Sequence, residues 1–275
     1  MLREERIGRI AQTLMQEQKV LSHQLADEFG LTLASVRRDL MELERRGVAK
    51  RVYGGAVLAE SGLATLGLSL GEPRLVERLG AQHLEKEAIG RMVATLIRDG
   101  ETVMIDGGTT TLQVCRHLVD KHNLSIISCA LNNVWPELVS KPGLQVFLTG
   151  GFLRAESLSL VGEVAENMLR GFLANKAILG MDGISLERGF TAINFLEASI
   201  KKRMIEVSQE LIVVADHTKF GKVCPIAVAP LERASKVVTD AGTPPEFMRS
   251  LEKCGVEAIV AELETTHMVE HRISG

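Results

Sequence analysis

Apolar residues recur at helical spacing in the N-terminal part of the chain and predict three short helices. The first helix ends near Gln18, and its apolar stripe consists of Ile7, Ile10, Ala11 and Leu14. The second helix begins at Ser22, whose side chain is expected to cap it, and ends at Gly30, because glycine tolerates the positive φ of a helix C-terminus. Thr32 is the expected cap of the third helix.

The third helix is predicted to have one buried face and one face open to a partner. The apolar face consists of Leu33, Val36, Leu40 and Leu43. Ala34, Ser35 and Arg38 lie on the opposite face, and Arg37 lies on its flank. Arginine can make a bidentate contact to guanine in the major groove of DNA, and serine can contact a base or a phosphate. Because only a tight turn after Gly30 separates the second and third helices, the spacing is that of a helix-turn-helix.

Two short strand-like segments after Gly47, the expected end of the third helix, predict a wing. They comprise residues 48–52 and 56–58, with the turn Tyr53-Gly54-Gly55 between them. The wing residues expected to hold phosphate or enter the minor groove are Lys50, Arg51 and Tyr53. Residues 1–58 are therefore predicted to form a winged helix-turn-helix that binds double-stranded operator DNA. A small helical bundle with an exposed basic helix is the alternative.

A second, larger domain is predicted after a connector. Weak periodicity and scattered glycines mark residues 59–84 as a hinge or loosely packed connector. The expected strands beyond it are residues 102–106, 125–129, 145–149, 177–180, 211–215, 237–239 and 258–261, and the expected helices include residues 85–98 and 109–122. Such alternation predicts an α/β domain over residues 85–275, with a mostly parallel sheet covered on both faces.

Three of the expected strands end in glycine-rich segments, where the ligands of parallel sheets usually bind. Backbone N–H groups and a helix dipole at such an end favour an anion such as phosphate. The residues expected to bind an effector are Asp106, Gly107, Gly108, Thr109, Thr110, Thr111, Gly150, Gly151, Asp182, Lys201 and Lys219. Among them the three threonines are expected to hold phosphate, the two carboxylates to bind hydroxyl groups, and a lysine to supply positive charge. A capped turn at Asp106 and solvated lysines are the alternatives.

Composition and charge are those of an ordinary globular protein, with one local asymmetry. Residues 32–58 carry six basic against three acidic side chains, although the formal net charge of the chain is −3. A basic end on an acidic body suggests that the N-terminal part contacts DNA. The four cysteines form neither a Cys-x-x-Cys pair nor a metal-ligand spacing with histidine, so we expect no metal and no cofactor. The absence of a signal-like or membrane-spanning run predicts a cytoplasmic location.

Longer stretches of the chain resemble the DeoR family of bacterial transcriptional regulators. In the N-terminal region the resemblance lies in Leu33-Ala34-Ser35-Val36-Arg37-Arg38-Asp39-Leu40, Leu43-Glu44, Gly47 and Arg51-Val52-Tyr53-Gly54-Gly55-Ala56. In the second region it lies in residues 86–89, 106–110, 148–151, 180–184, 197–204 and 216–221. The resemblance implies a sensor domain similar to ribose-5-phosphate isomerase. It also implies that the chain is a repressor of a carbohydrate-metabolism operon. The affinity of such a repressor for operator DNA changes when a phosphorylated sugar or related metabolite binds.

Two departures from the family pattern concern the effector. The family commonly has Asp-Ser-Gly-Thr-Thr where this chain has glycine at position 107, which removes one hydroxyl group. It also commonly has Thr-Asn-Ser where Ser128-Cys129-Ala130 stands, which removes an amide that could bind a hydroxyl group. The resemblance therefore leaves the identity of the effector open.

Two other classes of function are weighed against a DNA-binding regulator. Proton abstraction next to a carbonyl needs a positioned base, usually a carboxylate. The isomerases carry Asp-Gly-Ala-Asp-Glu where this chain reads Gly180-Met181-Asp182-Gly183-Ile184, so their acidic pair is missing and no catalytic residue is expected. Aromatic residues make up only 4% of the chain, which disfavours the base-stacking surfaces of RNA-binding proteins. Because one recognition helix buries little surface, we expect a homodimer or homotetramer.

Overall fold

The computed structural model describes residues 6, 7, 9, 10, 13, 14, 19–45, 49–58, 75–134, 138, 139 and 141–263. The chain divides into two compact units, residues 1–72 and residues 73–275. Among the described residues, no helix combines the length and the apolar character needed to cross a membrane. The predicted end of the third helix at Gly47 and most of the predicted connector, residues 59–74, lie outside the described residues.

The first unit is a small helical bundle with a three-stranded antiparallel sheet. Residues 6, 7, 9, 10, 13 and 14 are helical, as the first apolar stripe predicts. The elements that follow are β1 (Lys19–Leu21), α1 (Ser22–Phe29), α2 (Leu33–Arg45), β2 (Ala49–Val52) and β3 (Gly55–Leu58). Its core consists of Ile7, Ile10, Leu14, Val20, Leu25, Ala26, Val36, Leu40, Leu43, Ala49 and Ala56.

The ends of α1 and α2 confirm two of the predicted helix signals and correct a third. Gly30 ends α1 with a φ of 62°, and the Thr32 side chain accepts a hydrogen bond from the Ser35 N–H at 3.3 Å. The predicted Ser22 cap is wrong, because Leu21 holds the N-cap position and Ser22 is the first residue of the helix. The Ser22 N–H donates to the Gly54 carbonyl at 2.8 Å. The prediction that Leu33 lies on the buried face is also wrong, since 47% of this residue is exposed.

The wing is present as predicted, and a third strand completes it. Strands β2 and β3 pair antiparallel, with Val52 opposite Gly55 and the turn Tyr53-Gly54 between them. Strand β1, which the sequence pattern missed, pairs with the other edge of β3. This approach explains the second glycine of the turn, since a Cβ atom at Gly55 would lie 2.0 Å from the Val20 carbonyl oxygen.

The second unit contains a seven-stranded sheet with helices on both faces. Its first half comprises α3 (Leu75–Gly80), α4 (His83–Leu96), β4 (Thr102–Ile105), α5 (Thr109–Arg116), β5 (Leu124–Ser128), α6 (Leu131–Val134), β6 (Leu144–Leu148), β7 (Phe152–Arg154), β8 (Ser159–Val161) and α7 (Glu163–Leu169). The second half comprises β9 (Ala174–Gly180), β10 (Gly183–Ser185), β11 (Gly189–Ala192), α8 (Phe195–Glu206), β12 (Ser208–Val214), β13 (Ile226–Ala229), β14 (Lys236–Asp240), α9 (Pro245–Lys253) and β15 (Glu257–Ala261).

The large sheet is parallel throughout, in agreement with the prediction. Its strand order is β15-β14-β12-β9-β4-β5-β6, and every neighbouring pair is parallel. Val103 and Ile105 of β4 belong to one apolar cluster and Met104 to another, so both faces of the sheet are buried. Parallel strands buried on both faces read as continuous apolar runs, which is why the sequence revealed them.

Two segments differ from the predicted element boundaries. Helix α5 ends at Arg116 rather than near residue 122, and its C-cap is His117. Residues 75–80 form α3 and α4 begins at His83, so the last part of the predicted connector is helical. The hairpin β7–β8 and the small sheet β10-β11-β13 were not predicted, because strands of three or four residues carry little periodic signal.

The strand order places one crevice at the centre of the sheet. From β4 the chain adds β5 and β6 on one side, whereas β9, β12, β14 and β15 lie on the other side. Ligands of open parallel sheets bind at the carboxyl ends of the strands where the order reverses in this way. The segments that follow β4 and β9 therefore meet at the expected ligand position.

Candidate functional site

A buried ion pair joins the ends of β4 and β9. Lys201 of α8 contacts the Asp106 carboxylate through its Nζ atom and donates a second hydrogen bond to the Gly180 carbonyl at 2.9 Å. Only 3% of each residue is exposed. Asp106 follows β4 directly, and its Oδ1 atom accepts the Gly107 N–H at 2.7 Å. The structure thus brings together Asp106 and Lys201, which the sequence named separately.

The electrostatic surroundings keep Lys201 charged. Burial alone lowers the pKa of Lys201, but the carboxylates of Asp106, Asp182 and Glu197 outweigh it and raise the pKa above its ordinary value. Burial also raises the pKa of Asp106, which Lys201 opposes. The raised pKa of Lys201 favours its charged form, whereas the raised pKa of Asp106 favours a neutral carboxyl group. We take the pair as ionised at neutral pH, because Asp106 accepts hydrogen bonds from both Lys201 and the Gly107 N–H, and such bonds favour a carboxylate.

Helix α5 begins beside this pair with three buried threonines. Its first backbone N–H groups have no partner within the helix, as at every helix N-terminus. Thr111 donates to the Gly108 carbonyl at 3.1 Å and accepts from Asn133 at 3.2 Å. Within the described part of the chain, the hydroxyl groups of Thr109 and Thr110 make no hydrogen bond, although only 7% and 8% of these residues are exposed. Two hydroxyl groups and a helix N-terminus are thus available to an anion.

Two buried polar residues that the sequence did not assign to the site support the loop after β4. Asn133 of α6 is fully buried, and its amide donates to the Asp106 carbonyl and to Thr111. The thiol of Cys129 lies 3.7 Å from Asp106 Oδ1, and burial together with that carboxylate raises the pKa of Cys129. A signal for Asn133 was present in the sequence, because Asn133 follows β5 closely and ligands of open parallel sheets bind beyond the carboxyl ends of the strands.

A second buried ion pair lies one helical turn from Lys201. Arg154, at the end of β7, contacts the Glu197 carboxylate and donates to the Ser157 hydroxyl at 3.3 Å. Glu197 lies in the first turn of α8, where the Asn194 side chain caps the helix by accepting from the N–H groups of Leu196 and Glu197. These contacts fix the helix that carries Lys201. No local sequence signal links Arg154 to Glu197, because they belong to distant segments.

Asp182 lies at the same crevice and is held by the backbone. Its Oδ2 atom accepts the Ile193 N–H at 3.0 Å, and its Oδ1 atom lies 4.0 Å from Nη1 of Arg78. Its charge contributes to the raised pKa of Lys201. The structure therefore places Asp182 near Lys201, as the sequence analysis expected, and adds Arg78, which that analysis did not consider.

The other predicted effector residues are less directly placed. Lys219 is half-buried and forms no ion pair with described residues, but its charge contributes to the lowered pKa of Lys86 and opposes the rise in the pKa of Cys224 that burial causes. Gly150 and Gly151 follow the edge strand β6, with β5 between that strand and β4. Their φ angles of 65° and 101° serve the turn into β7. The turn by itself thus explains why these two positions are glycine, without a bound ligand.

The first unit exposes the residues predicted to contact DNA. Ala34, Arg37 and Arg38 are exposed on α2, and the Arg38 guanidinium donates to the Ser35 hydroxyl at 3.3 Å. Lys50, Arg51 and Tyr53 of the wing are exposed, and so are their neighbours Val52 and Gly54. A groove of about 390 Å³ separates helix from wing and is lined by residues that include Arg37, Arg51 and Tyr53.

Two contacts hold α2 and the wing in place within this unit. Arg6 donates to the buried Asp39 carboxylate at 2.7 Å and so joins the first helical segment to α2. The Arg51 N–H donates to the Glu44 carboxylate at 3.0 Å and so joins the wing to α2. The arginines on the outer face are therefore carried by a fixed helix.

Family models match both parts of the chain. A DeoR-like helix-turn-helix domain matches residues 6–62, and the DeoR C-terminal sensor domain matches residues 81–241. The chain belongs to the DeoR family. Its relatives in that family are transcriptional regulators, which identifies this DeoR-family chain as a regulator rather than an enzyme.

The curated relatives cover nearly the whole chain. Transcriptional repressor AccR of Agrobacterium fabrum is 35% identical over 87% of this chain and 90% of its own length. The glycerol-3-phosphate regulon repressor of Escherichia coli is 31% identical over 90% of this chain and 94% of its own length. A solved structure, ribose 5-phosphate isomerase A of Methanocaldococcus jannaschii, is 15% identical over 50% of this chain and 54% of that chain, with a TM-score of 0.36. We draw no functional conclusion from a structural similarity of that size.

Proposed function

We propose that this DeoR-family regulator represses a carbohydrate-metabolism operon and is controlled by a phosphorylated sugar or a related phosphorylated metabolite. The observation that carries the proposal is the group of residues at the switch point of the sheet. There a buried lysine and aspartate lie beside a helix N-terminus whose two threonine hydroxyls have no hydrogen-bond partner among the described residues. Such a group matches the chemistry of an anion that also carries hydroxyl groups.

The roles within the crevice follow from the chemistry of each group. The phosphate binds the N–H groups of the loop after Asp106 and the hydroxyls of Thr109 and Thr110. Thr111 contributes through its backbone N–H, because its hydroxyl already donates to the Gly108 carbonyl. The Asp106 and Asp182 carboxylates accept hydrogen bonds from hydroxyl groups of the metabolite. Lys201 holds Asp106 in place and adds positive charge, to which Lys219 contributes from the turn after β12. Gly107, Gly108, Gly150 and Gly151 complete the proposed site as the glycines of the segments that follow β4 and β6.

The DNA-binding role belongs to residues 1–58. Helix α2 enters the major groove, with Ala34, Ser35 and Arg38 toward the bases and Thr32 and Arg37 at its edges. Lys50, Arg51 and Tyr53 of the wing contact phosphate or the minor groove. Residues 59–84 connect this part to the sensor, residues 85–275, and the described part of this connector begins with α3. The proposed location is the cytoplasm, where operator DNA and phosphorylated metabolites occur together.

The experiment that tests the proposal combines operator binding with a ligand panel. Duplexes from the DNA upstream of the chain's own gene and its neighbours are tested in mobility shifts. The panel contains glycerol 3-phosphate, ribose 5-phosphate, glucose 6-phosphate and inorganic phosphate, with glycerol, ribose and glucose as controls. We expect at least one phosphorylated compound, and none of the neutral ones, to raise the melting temperature and change operator affinity, because a ligand of the native state stabilises it.

The variant Thr110→Asp tests the position of the site. A carboxylate at the start of α5 repels a phosphate, so the response to the ligand should be lost while operator binding remains. Thr95→Asp is the matched control, since Thr95 is an exposed helical residue far from the crevice loop in sequence. Equal ligand affinity in calorimetry for wild type and Thr110→Asp would place the site elsewhere. Failure of every panel compound with wild type would remove the proposed effector class.

A further inference from the structure

Helix α3 lies in the last part of the connector and is the first described element of the second unit, and it is attached to the sensor at both ends. At its start, the Leu75 N–H donates to the Glu156 carbonyl at 3.0 Å. At its end, the Lys86 ammonium donates to the Arg78 carbonyl at 2.7 Å and to the Ala81 carbonyl. These contacts lie within the second unit. Whatever moves α3 therefore moves the point at which the DNA-binding part is joined to the sensor.

Lys86 is an unusual group to use for such an attachment. It is 96% buried, since its exposed fraction is 4%, and burial lowers its pKa below the ordinary lysine value. A buried ammonium costs free energy unless its hydrogen bonds are satisfied, and here carbonyl oxygens at the C-terminal end of α3 satisfy them. The arrangement fixes the end of α3 to α4, the helix that carries Lys86.

The side chain of Arg78 reaches from α3 to the crevice. Its Nη1 atom lies 4.0 Å from Oδ1 of Asp182, and both side chains are mostly buried, with 17% and 18% exposed. Asp182 in turn contributes to the raised pKa of Lys201. Helix α3 also packs on α5, the helix that begins with Thr109, Thr110 and Thr111. Arg78 is thus the residue of α3 that borders the effector crevice.

We propose that Arg78 is an effector-binding residue through which occupancy of the crevice is transmitted to the connector. The inference rests on the proposed function, because it requires an anionic ligand in that crevice. The phosphate of the ligand competes with the Asp182 carboxylate for the guanidinium. At 4.0 Å, Arg78 Nη1 and Asp182 Oδ1 are too far apart for a hydrogen bond, whereas arginine can bind a phosphate through paired, charge-assisted hydrogen bonds, so the competition favours the ligand. Arg78 then shifts toward the phosphate and moves α3, and with α3 the C-terminal part of the connector.

This arrangement meets the physical requirement for coupling. A ligand changes a conformational equilibrium only if it interacts differently with the two states. The two states here differ in the anion that Arg78 faces, Asp182 without ligand and phosphate with ligand. Lys86 is a positioning residue in this scheme, because it holds the end of α3 so that movement of Arg78 displaces the helix as a whole.

The test separates ligand binding from its transmission. Wild type, Arg78→Gln, Arg78→Lys and Lys86→Met are compared with the ligand from the panel that gives the largest change in operator affinity, and with inorganic phosphate. Operator affinity is measured without ligand and at saturating ligand, and ligand affinity is measured by calorimetry. Arg98→Gln serves as control, because Arg98 is an exposed arginine of the same unit.

The expected results differ between the variants. If wild type changes its operator affinity about tenfold at saturation, Arg78→Gln should change it less than about twofold and should bind the ligand about tenfold more weakly. Arg78→Lys, which keeps the charge, should recover part of both. Lys86→Met should bind the ligand with nearly wild-type affinity, but the ligand should change its operator affinity less than it does in wild type. A general disruption of the site would weaken ligand binding as well. Arg98→Gln should behave as wild type.

Two outcomes overturn the inference in distinguishable ways. If saturating ligand changes the operator affinity of Arg78→Gln as much as that of wild type, another route carries the signal and the proposed function stands. A wild-type chain that binds operator but responds to no phosphorylated compound would overturn the proposed function, and this inference with it. If Lys86→Met does not fold, the comparison of Arg78→Gln with Arg78→Lys remains decisive.

Discussion

Gly107 lacks a side chain at a place where the neighbouring strand needs the space. A Cβ atom at this position would lie 2.4 Å from Oγ of Ser159 and 3.0 Å from Cβ of Ala130. The DeoR-family pattern commonly places a serine here, so the hydroxyl missing from position 107 has a counterpart in the Ser159 hydroxyl beside the same loop. The Ser159 hydroxyl occupies the space that a side chain at position 107 would need, so we expect this chain to accept a serine at position 107 only in exchange for the one at position 159.

This exchange gives a prediction about stability. Gly107→Ser forces its new side chain into the Ser159 hydroxyl and should lower the free energy of unfolding by about 1 to 3 kcal/mol. Adding Ser159→Gly to the same chain should recover most of the loss, measured by urea denaturation. Gly80→Ser is the control, because a Cβ there meets nothing within 4 Å. A double variant no more stable than Gly107→Ser alone would contradict the exchange.

Cys129 gives a second prediction at this scale, about alkaline pH. Burial and the nearby Asp106 carboxylate raise its pKa, so the folded chain keeps the thiol proton at a pH where the unfolded chain loses it. Stability is then complete below the ordinary thiol pKa of 9.0 and falls as the pH rises above it. The loss should approach about 1.4 kcal/mol for each further pH unit.

The measurement is the free energy of unfolding between pH 8 and 10, obtained by urea denaturation. Cys129→Ala should show a smaller decrease than wild type over this interval, because the buried thiol is gone. Cys254→Ala should decrease as wild type does, since Cys254 is exposed. Parallel pH profiles for wild type and Cys129→Ala would mean that the thiol ionises equally in both states.

At the scale of elements, α2 shows why helical spacing predicted one face well and the first turn poorly. Val36, Leu40 and Leu43 are buried, as the spacing indicated, because they face the helices of the same unit. Leu33 belongs to the same stripe but lies in the first turn and lines the groove toward the wing. A periodic pattern gives the direction of a side chain, whereas the neighbouring elements decide whether that direction is covered.

The outer face of α2 carries the prediction for DNA recognition. Arg38→Ala should weaken specific operator binding by about 1 to 3 kcal/mol without lowering the melting temperature, because Arg38 is exposed and faces away from the core. Mobility shifts and thermal melts measure the two effects. Arg188→Ala, an exposed arginine of the second unit, is the control. An unchanged operator affinity in Arg38→Ala would assign recognition to another surface.

At the scale of the whole molecule, a single α2 is too small to specify an operator. Isolated modules bury modest areas on DNA, and helix-turn-helix proteins pair two half-sites about 10 base pairs apart or a multiple of that spacing. We therefore predict that sedimentation shows at least a homodimer and that footprinting shows two related half-sites. A monomer that binds one half-site with full affinity at the same concentration would contradict this prediction.

The sequence by itself determined the elements and the chemistry of their ends. Helical spacing identified α2, continuous apolar runs identified the buried parallel strands, and glycine-rich segments identified the strand ends. Each of these signals lies within a short stretch of chain. For the same reason the strands β7, β8 and β10, with three residues each, gave too little pattern to be predicted.

Only the tertiary structure decided which residues meet. Asp106 and Lys201 are 95 positions apart and form an ion pair because β4 and β9 are neighbours in the sheet, an order that no local pattern encodes. The pairs Arg154–Glu197 and Arg78–Asp182 likewise join segments that are distant in the sequence. Patterns along the chain report the environment of each residue, whereas a site at a strand-end crevice depends on how distant segments are arranged in space.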